Sequence, residues 1–164
     1  MEIYLMRHGE ATRSEVDPER PLTLRGRKQV LQVGRWLRRL GVKFSRVLSS
    51  PRRRAQETAL IIATQTSFPP EQILTEEKLL PEADISQLLT MIFTCQAEEK
   101  ILLVGHLPSL AVLAGLLAGI NSGEIFHFSE AGLCRIDRTG NRPGTVVWLV
   151  SPEAISGRGG GRRL

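Results

Sequence analysis

Short unbroken apolar bursts alternate along the chain with longer stretches in which apolar residues recur every three or four positions. The bursts are Ile3 to Met6, Val47-Leu48 and Ile101 to Val104, and each ends in polar or turn-forming residues: Arg7-His8-Gly9-Glu10, Ser49-Ser50-Pro51 and Gly105-His106. Continuous runs of this kind suit strands covered on both faces, as in a parallel sheet. The stretches between them read as helices. From Leu24 to Leu40 an apolar stripe runs through Val30, Val33, Leu37 and Leu40, with Thr23 placed as N-cap and Gly41 as a C-terminal stop. A second helix is expected after Pro51, through Ala55, Ala59, Ile62 and Ala63. A third is expected from about Asp84, with Leu88, Leu89, Ile92 and Phe93 inward and Asp84 and Gln87 at capping-box spacing. Pro108 suits the first turn of a fourth, carrying Leu110, Leu113, Ala114 and Leu117. Gly132 to Ile136 and Thr145 to Val150 read as two final strands joined by a turn-rich segment.

The resulting order, β-α-β-α-α-β-α-β-β, predicts an α/β fold: a three-layer αβα sandwich with a mostly parallel central sheet and an antiparallel hairpin at its end. At 164 residues the chain fits one domain. We assign residues 1–152 to it and expect the Gly/Arg-rich segment 153–164, which offers little to bury, to be a disordered tail.

Composition narrows the setting. No apolar run approaches the roughly 20 residues of a membrane span, and the first residues, with an acid at Glu2 and a short apolar stretch, do not resemble a secretion signal. A cytoplasmic protein without membrane partners is expected. Cys95 and Cys134 lack metal or disulfide spacing, and His8, His106 and His127 lack the one-turn spacing of a metal-binding helix, so neither metal nor cofactor is expected. The net charge of +5 is unevenly spread: residues 20–54 hold twelve Lys or Arg and no Asp or Glu, while the rest holds ten basic against seventeen acidic residues. That segment should attract an anionic partner. Nucleic acid is disfavoured, because only Trp36 and Phe44 interleave the basic residues where single-strand binders need stacking platforms.

In open α/β sheets ligands bind beyond the carboxyl ends of the strands, where the three polar clusters fall. Two histidines and several arginines are thereby delivered to one rim beside helix N-termini, which is the composition of a phosphate site. Guanidinium groups fork onto phosphoryl oxygens and stay charged. A histidine among them resists protonation, leaving a neutral ring nitrogen able to attack phosphorus. Phosphoryl transfer needs little beyond in-line placement and charge stabilisation, so arginines and a second histidine suffice without metal. His127, away from any cluster, is read as structural.

Arg7-His8-Gly9-Glu10, Leu48-Ser49-Ser50-Pro51-x-x-Arg54-Ala55-x-x-Thr58 and Val104-Gly105-His106, in this order and each at a strand end, resemble the motifs of the histidine phosphatase superfamily. The resemblance spans nearly the whole chain and implies a phosphoglycerate mutase-like fold. It implies His8 as phosphorylated nucleophile, Arg7 and Arg54 as phosphate ligands, and His106 as a second histidine on the phosphoryl group. The short length, the Arg20-Pro21-Leu22-Thr23 segment and the lack of an inserted cap domain resemble SixA-type phosphohistidine phosphatases. Relatives often supply a general acid after the middle helix, and Glu82 is the candidate here. The implied function is a metal-independent phosphatase acting on phosphohistidine of a signalling phosphotransfer protein, such as a histidine phosphotransfer domain. The alternatives are a small phosphomonoester or sugar-phosphate phosphatase, and a non-catalytic anion-binding module.

Overall fold

In the computed structural model, which describes residues 1–97, 99–120, 126–140 and 142–156, the three apolar bursts become β1 (Glu2–Arg7), β2 (Arg46–Ser49) and β4 (Lys100–Gly105). Between them stand α1 (Leu24–Arg39), α2 (Arg53–Thr66), a two-residue strand β3 (Leu74–Thr75) and α3 (Ile85–Phe93). After β4 come α4 (Ser109–Leu117), β5 (Leu133–Asp137), β6 (Thr145–Val150) and the short α5 (Pro152–Ile155).

The six strands form one open sheet in the order β3-β2-β4-β1-β5-β6. β3, β2, β4 and β1 run parallel, and β5 runs antiparallel to both β1 and β6. Successive side chains of the central strands alternate between two apolar cores. Tyr4, Met6, Leu102 and Val104 pack under Val30, Val33, Leu37, Ala59 and Ile62 of α1 and α2. Ile3, Leu5, Ile101 and Leu103 pack under Leu88, Ile92, Leu110 and Leu113 of α3 and α4. Burial on both faces explains why these strands are apolar at every position. The three-layer αβα architecture expected from the sequence is present, and no cap domain is inserted among the described residues.

The helix ends follow local chemistry. Thr23 caps α1 by accepting from Gly26 N–H at 2.9 Å, and Gly41 adopts the left-handed φ of +69°. Asp84 caps α3 through the Ser86 N–H at 2.9 Å. Phe93, expected inward, is instead half exposed under the Arg138 guanidinium, 4.0 Å from its ring centroid. Leu40 lies just past α1 and is also exposed.

Two short 3-10 turns, Pro70–Gln72 and Glu77–Leu79, and the elements β3 and α5 were not anticipated. β3 is too short to show a period, and α5 begins with the Ser151 cap and Pro152 directly before the Gly/Arg-rich end. Ile155 of α5 packs against the α1–α2 core, so ordered chain continues past residue 152 to Ser156. The remainder of the expected tail, 157–164, lies outside the described residues. Among the described residues no helix is long and apolar enough to cross a membrane.

Candidate active site

Because β1, β2 and β4 are parallel neighbours, their carboxyl ends reach one edge of the sheet. Arg7 is in register with Gly105, and Ser49 with Val104. Backbone bonds carry the alignment beyond the strands: His8 N–H donates to Gly105 O at 3.2 Å and Ser50 N–H to Val104 O at 3.0 Å. Two glycines let the loop after β1 lie against α1. A Cβ on Gly26 would stand 2.1 Å from Glu10 O, and one on Gly9 would meet Val30 Cγ2 at 2.8 Å and Gly26 O at 2.9 Å. The Gly9 N–H donates to Thr58 Oγ1 at 3.2 Å, and that hydroxyl donates to Arg54 O at 2.7 Å, fixing the loop to the first turn of α2.

The edge encloses a pocket of about 230 Å³ lined by Arg7, His8, Arg20, Arg54, His106 and Glu130, with Ala11, Pro81 and Leu107 completing the wall. His8 Nδ1 lies 2.7 Å from Gly9 O, a carbonyl that can only accept, so the proton of the neutral ring sits on Nδ1. Nε2 therefore carries the lone pair, and it accepts from Arg54 Nε–H at 3.2 Å. Arg7 donates from Nη1 to Phe128 O at 3.0 Å. The His106 ring stands 5.1 Å from that of His8, centroid to centroid, with its Nε2 2.8 Å from Ser50 Oγ. Its Nδ1 is buried and has no hydrogen-bond partner among the described residues.

Both imidazoles are held neutral. Burial is the largest cause for His8, opposed by the Gly9 carbonyl and reinforced by the charges of Arg54, Arg7 and Arg20, and its pKa falls to about 4. His106 falls to about 3, again chiefly through burial, with His8, Arg54, Arg52 and Arg20 adding to it. Burial lowers the Arg54 pKa as well, aided by Arg20 and Arg52. The neighbouring arginines, expected from the sequence to deprotonate His8, do so less than burial does.

Arg7, His8, Arg54 and His106, expected at one site, are brought together. Glu82 is not: its side chain is 63% exposed, pairs with Arg52 at 3.4 Å and stands outside the pocket wall, to which its neighbour Pro81 contributes. Glu10 turns away to α1, where its carboxylate accepts from Thr23 Oγ1 at 2.7 Å and pairs with Arg25 at 3.5 Å. Arg53 pairs with Glu57, and His127 is exposed and outside the pocket.

Sequence reasoning missed the two other charged wall residues. Arg20 enters from the loop before α1 with a left-handed φ of +49°, its Nε donating to Thr12 O at 3.1 Å. Glu130 enters from the turn before β5, whose antiparallel pairing with β1 brings that turn beside His8. Among the described residues no group of three His, Cys, Asp or Glu side chains is placed to hold a metal ion.

A neutral histidine with its lone pair in a pocket ringed by guanidinium groups, at the carboxyl edge of an αβα sheet, defines a phosphoryl-handling enzyme. A family model for the histidine phosphatase superfamily (branch 1) matches residues 3–91, and the chain belongs to that superfamily, a family of hydrolases. Within it, the chain is 29% identical over 155 residues to the phosphohistidine phosphatase SixA of Escherichia coli, covering 93% of this chain and 94% of that protein. It is 33% identical over 138 residues to an uncharacterized protein of Picosynechococcus, covering 81% and 82% of the two chains. A solved structure of the protein histidine phosphatase SixA complexed with tungstate matches with a TM-score of 0.86 at 25% identity, over 94% of this chain and 99% of that one.

Proposed function

We propose that this chain is a metal-independent phosphohistidine phosphatase that works through a phosphorylated His8 and removes phosphate from a signalling phosphotransfer protein. The observation that carries the reading is the fixed tautomer of His8, with Nδ1–H bonded to Gly9 O and the Nε2 lone pair in the arginine-lined pocket. Nε2 forms a bond to phosphorus while the bond to the substrate nitrogen breaks, the electron pair leaving with the substrate imidazole. Phosphorylation makes the His8 ring cationic, and the Gly9 carbonyl at Nδ1–H offsets that charge. Water then attacks phosphorus and the electron pair returns to Nε2. Arg7, Arg20 and Arg54 surround the pocket and His106 stands beside the nucleophile, so charge building on the equatorial oxygens meets fixed donors. The solved relative that holds tungstate, a tetrahedral oxyanion of phosphate-like shape, supports assigning the pocket to a phosphoryl group.

A protein substrate fits the surroundings. A groove of about 380 Å³ adjoins the pocket, shares Arg20, Arg54 and Pro81 with it, and adds Arg52 and Arg53. An acidic domain approaching this arginine-rich mouth is attracted over about a Debye length. The exposed position of Glu82 agrees with a leaving group that asks little of a general acid, since the P–N bond of phosphohistidine is more labile than a phosphate ester.

The test is phosphate release by the purified protein and its His8→Ala variant from a phosphohistidine-bearing phosphotransfer domain and from an aryl phosphate, with and without chelator. Chelator-insensitive release from the first substrate, abolished in His8→Ala, is the expected result. Preference for the aryl phosphate transfers the assignment to small phosphomonoesters, and release from neither leaves only an anion-binding role.

A further inference from the structure

We propose that Glu130 reads the leaving group: its carboxylate accepts a hydrogen bond from the distal ring N–H of the substrate phosphohistidine and so selects an imidazole over an alcohol. This inference rests on the phosphohistidine reading above. Glu130 is the one carboxylate on the pocket wall among the described residues, where it shares the space with Arg7, His8, Arg20, Arg54 and His106. A pocket built only to grip phosphate has no use for a negative charge there, since it opposes the anion the arginines attract.

The backbone holds Glu130 at the pocket wall at the expense of local strain. Gly132 N–H donates to Ser129 O at 2.9 Å, closing a tight turn around Glu130 and Ala131. Ala131 takes a left-handed φ of +54° although it is not glycine, and it is fully buried. Its N–H donates to His8 O at 3.0 Å, and Arg7 N–H donates to Gly132 O at 3.0 Å. The turn that carries Glu130 is thus bonded on both sides of the nucleophile's own peptide. The backbone of Glu130 is so placed by the same bonds that place His8.

Its chemistry matches one leaving group. The phosphoryl group occupies the arginine-lined floor beside His8 Nε2, and the group it leaves lies toward the remaining wall. In a phosphohistidine with its distal nitrogen protonated, the breaking P–N bond gives its electron pair to the proximal nitrogen. The imidazole then departs neutral, its distal proton retained throughout. A carboxylate at that distal N–H favours the protonated form and keeps the imidazole from leaving as an anion. An alcohol or phenol leaves with negative charge on oxygen, which the same carboxylate disfavours. Glu130 therefore acts as attraction for one substrate class and repulsion for the other.

The experiment compares kcat/KM of wild type, Glu130→Gln and Glu130→Ala on phosphoimidazole and on p-nitrophenyl phosphate. Loss of a hydrogen bond to a charged group predicts a fall of about 10- to 100-fold on phosphoimidazole, with the aryl phosphate unchanged within about 3-fold or improved, so the ratio of the two collapses. Urea unfolding shows whether each variant is folded, and the second variant supplies the ratio if the first does not fold. Equal losses on both substrates, or no loss on phosphoimidazole, overturn the role given to Glu130. Wild-type activity on the aryl phosphate with none on phosphoimidazole overturns the phosphohistidine reading itself, and the Glu130 inference with it.

Discussion

Replacing His8 with Asn should weaken the dependence of stability on pH, because the folded protein keeps this imidazole neutral where the unfolded chain protonates it. The native pKa of about 4 lies below the ordinary value of 6.5, lowered first by burial and then by Arg54, Arg7 and Arg20. Between these values the unfolded state binds more protons, so stability falls as pH drops from about 6.5 toward about 4 and the His8 contribution levels off below that. The penalty is ~2 kcal/mol on going from pH 7 to 5 and ~3 kcal/mol by pH 4. Other groups add to the loss: His106, lowered to about 3 chiefly by burial, costs stability over the same range, and Glu2, where burial is outweighed by bonds from Tyr4 and Lys100 that lower its pKa, costs more as pH falls below its ordinary value of 4.5. The difference between wild type and His8→Asn removes that shared background. Urea unfolding at pH 7, 6 and 5 should show the wild type losing ~1 kcal/mol more per pH unit than the variant between pH 6 and 5. Parallel profiles would mean that His8 is as free to protonate in the folded state as in the unfolded one, and that the fold does not hold its nucleophile neutral.

Arg54→Ala removes the guanidinium bonded to His8 Nε2 and should lower kcat by ~10²- to 10³-fold; a smaller effect in phosphate-release kinetics removes Arg54 from the reaction. Glu82→Gln should leave kcat/KM within ~3-fold of wild type, since its partner Arg52 is an exposed surface pair, and a larger loss returns this residue to the site. Gly26→Ala puts a Cβ 2.1 Å from Glu10 O, and should cost ~1–3 kcal/mol or more in urea unfolding while slowing turnover by ~10²-fold through displacement of the His8 loop. Normal stability with normal turnover would show that the loop yields freely. Raising ionic strength from about 0.05 to about 0.5 M should reduce kcat/KM for an acidic phosphotransfer domain but leave that for phosphoimidazole nearly unchanged, as the Debye length contracts; equal responses argue against steering by Arg52 and Arg53.

The central strands were legible because burial on both faces leaves nothing but apolar residues in Ile3 to Met6 and Ile101 to Val104. Their parallel arrangement, once inferred, placed Arg7, His8, Arg54 and His106 at one edge without further information. Glu82 stands outside the pocket wall for a physical reason. Sequence proximity to the edge does not fix the direction of a loop side chain, and this one lies in solvent beside Arg52. Arg20 and Glu130 were invisible for the opposite reason, since each depends on a residue in left-handed conformation that is not glycine, at Arg20 itself and at Ala131. Glycine marks such turns in a sequence; arginine and alanine do not. The basic segment did contain a hint, because Arg20 opens the Arg20-Pro21-Leu22-Thr23 segment leading into α1. For Glu130 the missing step was the pairing of β5 with β1 rather than with β6 alone.

The reversed direction of β5 bears on how this scaffold can change. β2 and β4 send their chains outward at the catalytic edge into helices that start four residues on, and β1 sends its chain there into the longer loop before α1. β5 instead receives its chain there, so the segment before it ends at the nucleophile without having to launch a helix. Its final turn is tied to Arg7 and His8, and Phe128 just before it is fixed as well, its carbonyl accepting from Arg7 and its ring buried in the core. Exchanges at Glu130, the turn residue that lines the pocket, can therefore reshape its mouth while Phe128 and Ala131 keep the phosphate floor intact, which makes this turn the natural place to graft new leaving-group preferences onto an unaltered nucleophile.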